Sequence, residues 1–330
     1  MPILNKNSRV YIAGCGGMLG EAVYRLFSAH TTVKATDIDL NAQWLEYADV
    51  RDHDGMLASI TAFTPDLLIN LAALTDLEYC EENQENAWLT NALGAENLAL
   101  IASKLRIPIV YISTAGIFDG RQDLYNDFDT PNPLSFYAKS KYYGELFVQK
   151  CVQEHFVFRA GWMMGGGEAK DKKFINKIYQ QIKAGKREIF VVDDKLGTPT
   201  FTESFAQGIL NVVQKGPFGL YNQVCEGNCS RYDVALEFIR LLGMSDRIRV
   251  TKVSSDYFKT DYFAPRPASE KLVNLKLNAR KLNAMPHWKD ALSEYVKQFA
   301  PIGTWNTASA NVGCEVKGLD GDSEKLKRSV

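Results

Sequence analysis

The sequence predicts an α/β protein, a doubly wound parallel sheet with a smaller lobe toward the C-terminus. Three observations carry this. Short β-rich apolar runs alternate with helix-length stretches through the first half of the chain; runs such as LLINLAA and IPIVYIS are apolar almost without interruption; and a cluster of glycines directly follows the first run. Continuous apolar runs suit strands buried on both faces. Strand–helix alternation makes neighbouring strands parallel, because the chain must cross over through a helix before re-entering the sheet in the same direction.

Taken in order, the strand pattern falls on residues 9–13, 32–36, 66–71, 107–113 and 156–159. Beyond Gly161 it changes: a turn at Gly165 to Gly167, a charged helix, the loop DDKLGTPT, then mixed helices and short strands to about residue 300. Residues 219–224 still read as a sheet strand, so the chain crosses between the two regions more than once. The expected division is therefore 1–164 with 197–224 for the sheet domain and 165–196 with 225–300 for the lobe. Residues 301–330, rich in Gly, Ser, Asn, Asp and Lys without periodicity, read as a flexible tail.

Composition narrows the function classes. With 46% hydrophobic and 23% charged residues the chain is built to bury a core. A formal net charge of -1 gives no basic field for nucleic acid or an anionic membrane surface. No apolar stretch approaches the roughly 20 residues that span a bilayer, and MPILNKNSRV lacks the apolar core of a signal peptide, so a cytoplasmic protein is expected. Six irregularly spaced cysteines predict reduced thiols. Cys225 and Cys229 have no accompanying pair or His couplet, so no metal is expected.

The glycine cluster carries the first functional signal. Gly14, Gly17 and Gly20, with Met18 and Leu19 between them, are spaced Gly-x-x-Gly-x-x-Gly between a strand and a helical pattern. Glycines there let a pyrophosphate approach backbone N–H groups at the positive end of the helix, and let helix and strand pack closely. A plain tight turn is the alternative, and the surroundings favour the nucleotide. Asp37 closes the second strand 17 positions after Gly20, with Ile38 next to it, where a carboxylate can accept hydrogen bonds from an adenosine ribose. A solvated loop acid is its other reading. That charge would repel a 2′-phosphate, a mild lean toward NADH over NADPH. Asp49 and Val50 follow the next apolar stretch, where adenine would lie. Leu71, Ala72 and Ala73 end a buried strand in residues that admit a ligand closely. The whole is a Rossmann-type arrangement for NADPH or NADH.

The second signal is Tyr137-Ala-Lys-Ser-Lys141, at the start of a helical pattern, which puts Tyr137 and Lys141 on one helix face. A free tyrosine titrates near pH ~10 and moves protons poorly at neutrality unless a cation stabilises its phenolate; Lys141 is placed to supply that charge. Thr114 ends a buried strand 23 positions before Tyr137, where its hydroxyl can meet the same substrate oxygen. A snorkelling Tyr–Lys surface pair and a capping threonine are the competing readings.

Over residues 8–300 the sequence resembles the extended short-chain dehydrogenases/reductases, and within them the dTDP-4-dehydrorhamnose reductases. The matching pieces are the glycine turn, PDLLINLAALT at 65–75, Glu81, Asn91, ISTAGIFDG at 112–120, PNPLSFYAKSKYYGE at 131–145, RAGW at 159–162, VVDDKLGTPT at 191–200 and APRP at 264–267. The resemblance implies a catalytic triad of Thr114, Tyr137 and Lys141, the last two also touching the cofactor. It implies that Asn91 holds the central helix or an active-site water, and that Thr75, Trp162 and Arg266 face a sugar nucleotide. Core packing for Trp162 and a surface ion pair for Arg266 are the alternatives. The C-terminal lobe becomes a substrate-binding lobe, and a homodimer through helices flanking the sheet is compatible with the family. The implied reaction is NAD(P)H-dependent reduction of a 4-keto nucleotide-activated deoxysugar, in surface polysaccharide or deoxysugar biosynthesis.

One departure stands out. Where these reductases read Ser-Thr-Asp-Tyr, this chain has Ser113-Thr114-Ala115-Gly116, which loses a tyrosine that lies against the substrate and leaves the sugar open. Small residues there resemble NAD-dependent sugar-nucleotide epimerases, which are the first rival. A dehydratase ranks lower, because its Asp-Glu pair is missing from the same two positions. The second rival is a non-catalytic cofactor-binding subunit resembling the β subunit of methionine adenosyltransferase.

Overall fold

The computed structural model describes residues 4–301. Apart from Pro301, the tail expected over 301–330 lies outside the described residues. Seven parallel strands form the central sheet, in the order Gly219–Asn222, His155–Ala160, Ile109–Thr114, Leu67–Asn70, Arg9–Ala13, Thr32–Asp37, Leu45–Tyr47. From Arg9–Ala13 the chain winds outward to one edge, returns to place Leu67–Asn70 on the other side of that strand, and then winds outward the opposite way. The reversal lies between Arg9–Ala13 and Leu67–Asn70, where Ala13 is in register with Asn70. Helices leave the two strands on opposite faces there, opening a crevice beyond the strands' carboxyl ends in which such folds bind ligands.

The five expected strands are present, the first with the expected bounds and the other four with ends shifted by one or two residues. Leu45–Tyr47 was not expected: three residues at the sheet's edge, two of them exposed, are too short and too polar to show a pattern. The expected strand over 219–224 forms at Gly219–Asn222 and pairs in parallel with His155–Ala160, so the chain does return to the sheet after residue 165.

Helices cover both faces. His53–Phe63, Gly94–Leu105 and Phe136–Cys151 bury Met56, Ile60, Leu98, Ile101 and Val148 against Tyr11, Leu68, Ile109, Tyr111 and Val157, alternate residues of their strands. Gly20–Ser28 and Thr202–Lys215 pack together elsewhere on the sheet domain. Phe136–Cys151 is fixed at its start by Ser135, whose hydroxyl accepts from the Ala138 N–H at 3.2 Å, and by Glu81, which accepts from the Phe136 N–H at 2.8 Å. Farther along, Glu145 meets Arg159 of the neighbouring strand in a buried ion pair at 2.6 Å. Trp88–Leu93 is a π-helical turn running into Gly94–Leu105.

Between residues 162 and 300 three small sheets form: Glu188–Val192 with Arg249–Val253 and Trp162–Met164 with Pro199–Phe201, both parallel, and Leu196–Gly197 antiparallel to Cys229–Ser230. Around them lie the helices Phe174–Lys183, Arg231–Leu241 and Trp288–Val296. Cys225 and Cys229 are buried and unbridged, and burial pushes each thiol up to about 12. Among the described residues no helix is long and apolar enough to cross a membrane.

Candidate active site

The glycine turn leaves the first strand at the crevice. Gly14 has φ +76, and a side chain there would strike the Ala72 backbone at 2.2 Å, so turn and Leu71–Ala73 segment lie in direct contact. At Gly20 a Cβ would meet the Cys15 carbonyl oxygen at 1.9 Å. Gly17 differs: a Cβ there has no neighbour within 4 Å. Protein packing demands glycine at 14 and 20, while at Gly17 it leaves open space. Helix Gly20–Ser28 begins at Leu19, which offers no side-chain cap, so its first N–H groups keep their positive field for an anion. A pyrophosphate therefore fits this turn, with Met18 and Leu19 flanking it.

Asp37 holds the turn from the second strand. Its Oδ2 accepts from the Gly16 N–H at 2.8 Å and its Oδ1 from the Asp39 N–H at 2.9 Å, while Asn41 donates to the Gly16 carbonyl at 3.1 Å. Ile38, more than half exposed, stands beside it. Each Asp37 oxygen keeps lone-pair capacity for a ribose hydroxyl. Asp49 is gripped by Arg51, with Nη2 at 2.6 Å, which together with the ion pair's charge holds the carboxyl below its usual range. Val50 is buried, its side chain filling the space beside Gly94 and its carbonyl accepting from Asn97 at 3.0 Å.

From the crevice the chain leads straight to Tyr137. Leu71 donates to the Ala13 carbonyl at 2.8 Å and Ala72 to Asn70 Oδ1 at 3.0 Å. Leu74 is clamped by the buried Asn91 amide, which accepts from its N–H at 2.8 Å and donates to its carbonyl at 3.0 Å. The same Asn91 amide donates to Ser140 Oγ at 3.1 Å, and Ser140 donates to the Tyr137 carbonyl at 2.9 Å. Asn91 thus fastens the helix carrying Tyr137 and Lys141 to the segment that touches the glycine turn.

Thr114 ends its strand and accepts from the Gly116 N–H at 3.1 Å. Burial pushes the half-buried Tyr137 phenol up to about 12, against a hydrogen bond with Thr114 that pulls it down, and the nearby Glu270 carboxylate raises it further. Burial pulls the Lys141 ammonium down to about 7, opposed by Glu145, and its Nζ lies 4.3 Å from the centre of the Tyr111 ring. Tyr111 in turn donates to the Lys141 carbonyl at 3.0 Å. The expected lowering of the phenol's pKa by Lys141 is therefore corrected for the free protein: burial raises it, and the lysine lies against the Tyr111 ring.

Thr75 is exposed and accepts from Lys173 Nζ at its carbonyl, 2.8 Å, and its hydroxyl, 3.1 Å. Trp162 does more than pack. Its indole N–H donates to Glu270 Oε2 at 2.7 Å, and the Arg231 guanidinium lies 3.7 Å over its ring. Arg266 forms a two-pronged, half-buried pair with Glu78 at 2.7 and 2.8 Å, the ion-pair alternative weighed for it. Sequence reasoning missed Glu270 and Arg231, which come from separate segments with no local signal. It gave no role to Glu81, the cap of the Tyr137 helix. Glu145 was detectable, since an acid one turn after a buried lysine is a natural charge partner.

The family model for the RmlD substrate binding domain matches residues 8–300. A dTDP-4-dehydrorhamnose reductase of Mycobacterium tuberculosis is 30% identical over 294 residues, 87% of this chain and 92% of the relative. The crystal structure of a dTDP-4-dehydrorhamnose reductase from Clostridium acetobutylicum is similar with a TM-score of 0.79 at 31% identity, covering 88% of this chain and 98% of that one. The Bacillus anthracis dTDP-4-dehydrorhamnose reductase in complex with NADP aligns with a TM-score of 0.81 at 26% identity, covering 88% and 99%.

Proposed function

This chain belongs to the RmlD substrate binding domain family, and from that premise we propose that it reduces the 4-keto group of a nucleotide-activated deoxysugar with NADPH or NADH. The observation that carries the reading is the placement of Tyr137 and Lys141 on a helix that Asn91 ties to the segment lining the glycine turn and that packs on the strand ending at Thr114. Relatives across nearly the whole chain are named as reductases of such sugars.

A bound reduced nicotinamide supplies hydride to the carbonyl carbon. The carbonyl oxygen gains charge as this happens, and Tyr137 gives it a proton while the Thr114 hydroxyl steadies it by hydrogen bonding. With its pKa held up near 12, Tyr137 is fully protonated at neutral pH, the form that donation requires. Lys141, one turn along, opposes the negative charge left on the phenolate oxygen. Gly14, Gly17, Met18, Leu19 and Gly20 receive the pyrophosphate, Asp37 and Ile38 the adenosine ribose, Asp49 and Val50 border the adenine, and Leu71, Ala72 and Ala73 line the nicotinamide side. On this reading residues 165–196 and 225–300 form the sugar-facing lobe, whose Arg266 meets the nucleotide sugar together with Thr75 and Trp162 of the sheet domain; Arg266 does so by exchanging Glu78 for a ligand.

The test is direct. Purified protein given dTDP-4-keto-6-deoxysugar should consume NADPH or NADH in proportion to sugar reduced. Absence of turnover with every nucleotide ketosugar overturns the reading. Cofactor retained through purification, with conversion of a sugar nucleotide and no net oxidation of added cofactor, would instead identify an epimerase.

A further inference from the structure

The carboxylate of Glu270 stands inside the site without a role in the chemistry above, and it works against that chemistry. Its Oε2 is committed to the Trp162 indole N–H at 2.7 Å. Among the described residues its Oε1 accepts no hydrogen bond, and it faces the clearing at Gly116: a Cβ on Gly116 would lie 3.3 Å from Glu270 Oε1 and 3.5 Å from Thr114 Oγ. A carboxylate this close to Thr114 and Tyr137 resists the negative charge that grows on the substrate oxygen and the phenolate. Its backbone is fixed, with the Glu270 N–H donating to the Leu196 carbonyl at 2.8 Å, and its side chain is only partly exposed. A half-buried charge held in an unhelpful place, with one oxygen free toward the pocket, is arranged for a ligand donor.

Resting on the function proposed above, we infer that Glu270 is a specificity-determining residue: its Oε1 accepts a hydrogen bond from the sugar hydroxyl on the carbon next to the reacting ketone. Ala115-Gly116 is what makes this possible. A larger side chain at position 116 would meet both Oε1 and Thr114 Oγ, so the glycine clears the space through which a ring hydroxyl reaches the carboxylate. The same bond answers the charge conflict, because a donor on Oε1 spreads the carboxylate's charge as the neighbouring oxygen becomes negative. The Arg231 guanidinium, also in the field of Glu270 and stacked on Trp162, supports the arrangement from behind. The sugar class selected is one that keeps its 3-hydroxyl, in preference to the 3-deoxy analogue. A site that holds a buried acceptor for a hydroxyl penalises a ligand lacking it, since the acceptor then stays unpaired.

The experiment compares dTDP-4-keto-6-deoxyglucose with its 3-deoxy analogue, and the corresponding dTDP-6-deoxysugar alcohols, on wild type, Glu270→Gln and Glu270→Ala. Wild type should favour the 3-hydroxyl by roughly 10- to 100-fold in kcat/KM, and in Kd of the alcohols, the range of a charge-assisted hydrogen bond. Glu270→Ala should bring both ratios to within about threefold, while Glu270→Gln, whose single amide oxygen stays on the Trp162 N–H and whose NH2 can only donate to the hydroxyl oxygen, should retain a smaller preference. A wild-type ratio near one, or a Glu270→Ala enzyme weakened equally toward both sugars, overturns the assignment and leaves Glu270 as a prop for Trp162. Binding read by calorimetry separates the two proposals: a wild type that binds the sugars but reduces neither refutes the reductase reading, and its binding ratio alone then decides Glu270. A wild type that binds neither overturns both.

Discussion

Replacing Lys141 with methionine should stabilise the free protein at low pH while removing its activity. Lys141 is 4% exposed, and burial brings its ammonium from 10.5 to about 7. Below pH 7 both folded and unfolded chains carry the charge, and the folded chain bears the full desolvation cost. Between about 7 and 10.5 the unfolded chain binds the extra proton, so wild-type stability rises with pH across that window and the cost is gone above it. A difference of that size corresponds to at most about 5 kcal/mol; loss of the contact with the Tyr111 ring, 4.3 Å from Nζ, takes back about 1 kcal/mol. Lys141→Met, similar in length and free of charge, should therefore unfold about 2–4 kcal/mol later than wild type at pH 6, and the gap should narrow by about 3 kcal/mol by pH 9.5. Urea denaturation of both proteins at the two pH values, followed by circular dichroism, measures it. A gap that stays constant, or a variant less stable than wild type at pH 6, would refute the claim that desolvation governs this lysine. Turnover in the same variant should fall at least 100-fold, the contribution expected of a group that supports proton transfer.

Three further outcomes follow from the geometry. Tyr137→Phe should lower kcat by 10²–10⁴-fold while leaving folding and dinucleotide affinity near wild type; a variant that keeps more than a tenth of its turnover would show that the proton comes from elsewhere. Gly17→Ala should leave the urea midpoint unchanged, because its Cβ meets no protein atom within 4 Å, yet weaken NADPH binding in a fluorescence titration; an unstable variant with normal affinity would mean the position serves packing. Glu145→Gln strips the charge partner from the buried Arg159, 4% exposed, and should cost about 3–5 kcal/mol of stability in denaturant unfolding; a cost under about 1 kcal/mol would mean that water or another acceptor reaches the guanidinium.

What the sequence revealed was the part written in local pattern. The strands buried on both faces, the glycine spacing and the Tyr137–Lys141 interval each fall within one run of chain, and they locate the crevice and the helix beside it. Leu45–Tyr47 escaped because an edge strand of three residues has neither length nor periodicity, and the strand at Gly219–Asn222 was visible only because its apolar run survives far from its neighbours. Asp37 was expected as a ribose acceptor; that it ties down the glycine turn through Gly16 depended on the turn's conformation and not on spacing. Glu270 and Arg231 meet Trp162 from segments 108 and 69 residues away, so no window of sequence contains the cluster.

The electrostatics were the hardest to foresee, because they depend on what surrounds a pair and not on its separation along a helix. Two residues four apart were expected to share a charge; the fold instead buries each against different partners and disfavours charge on both. For a reductase this resting state has a chemical logic. A protonated phenol is the competent proton donor, so a high pKa costs the enzyme nothing before the reaction, and the adverse step is the moment the proton leaves. On the function proposed above, stabilisation of that moment falls to Lys141, whose ammonium form burial disfavours in the free protein, and, on the inference drawn for Glu270, to a sugar donor on its carboxylate. Binding of the correct sugar nucleotide and cofactor thereby becomes a condition of the chemistry, because in the free protein both Lys141 and Glu270 are set against it.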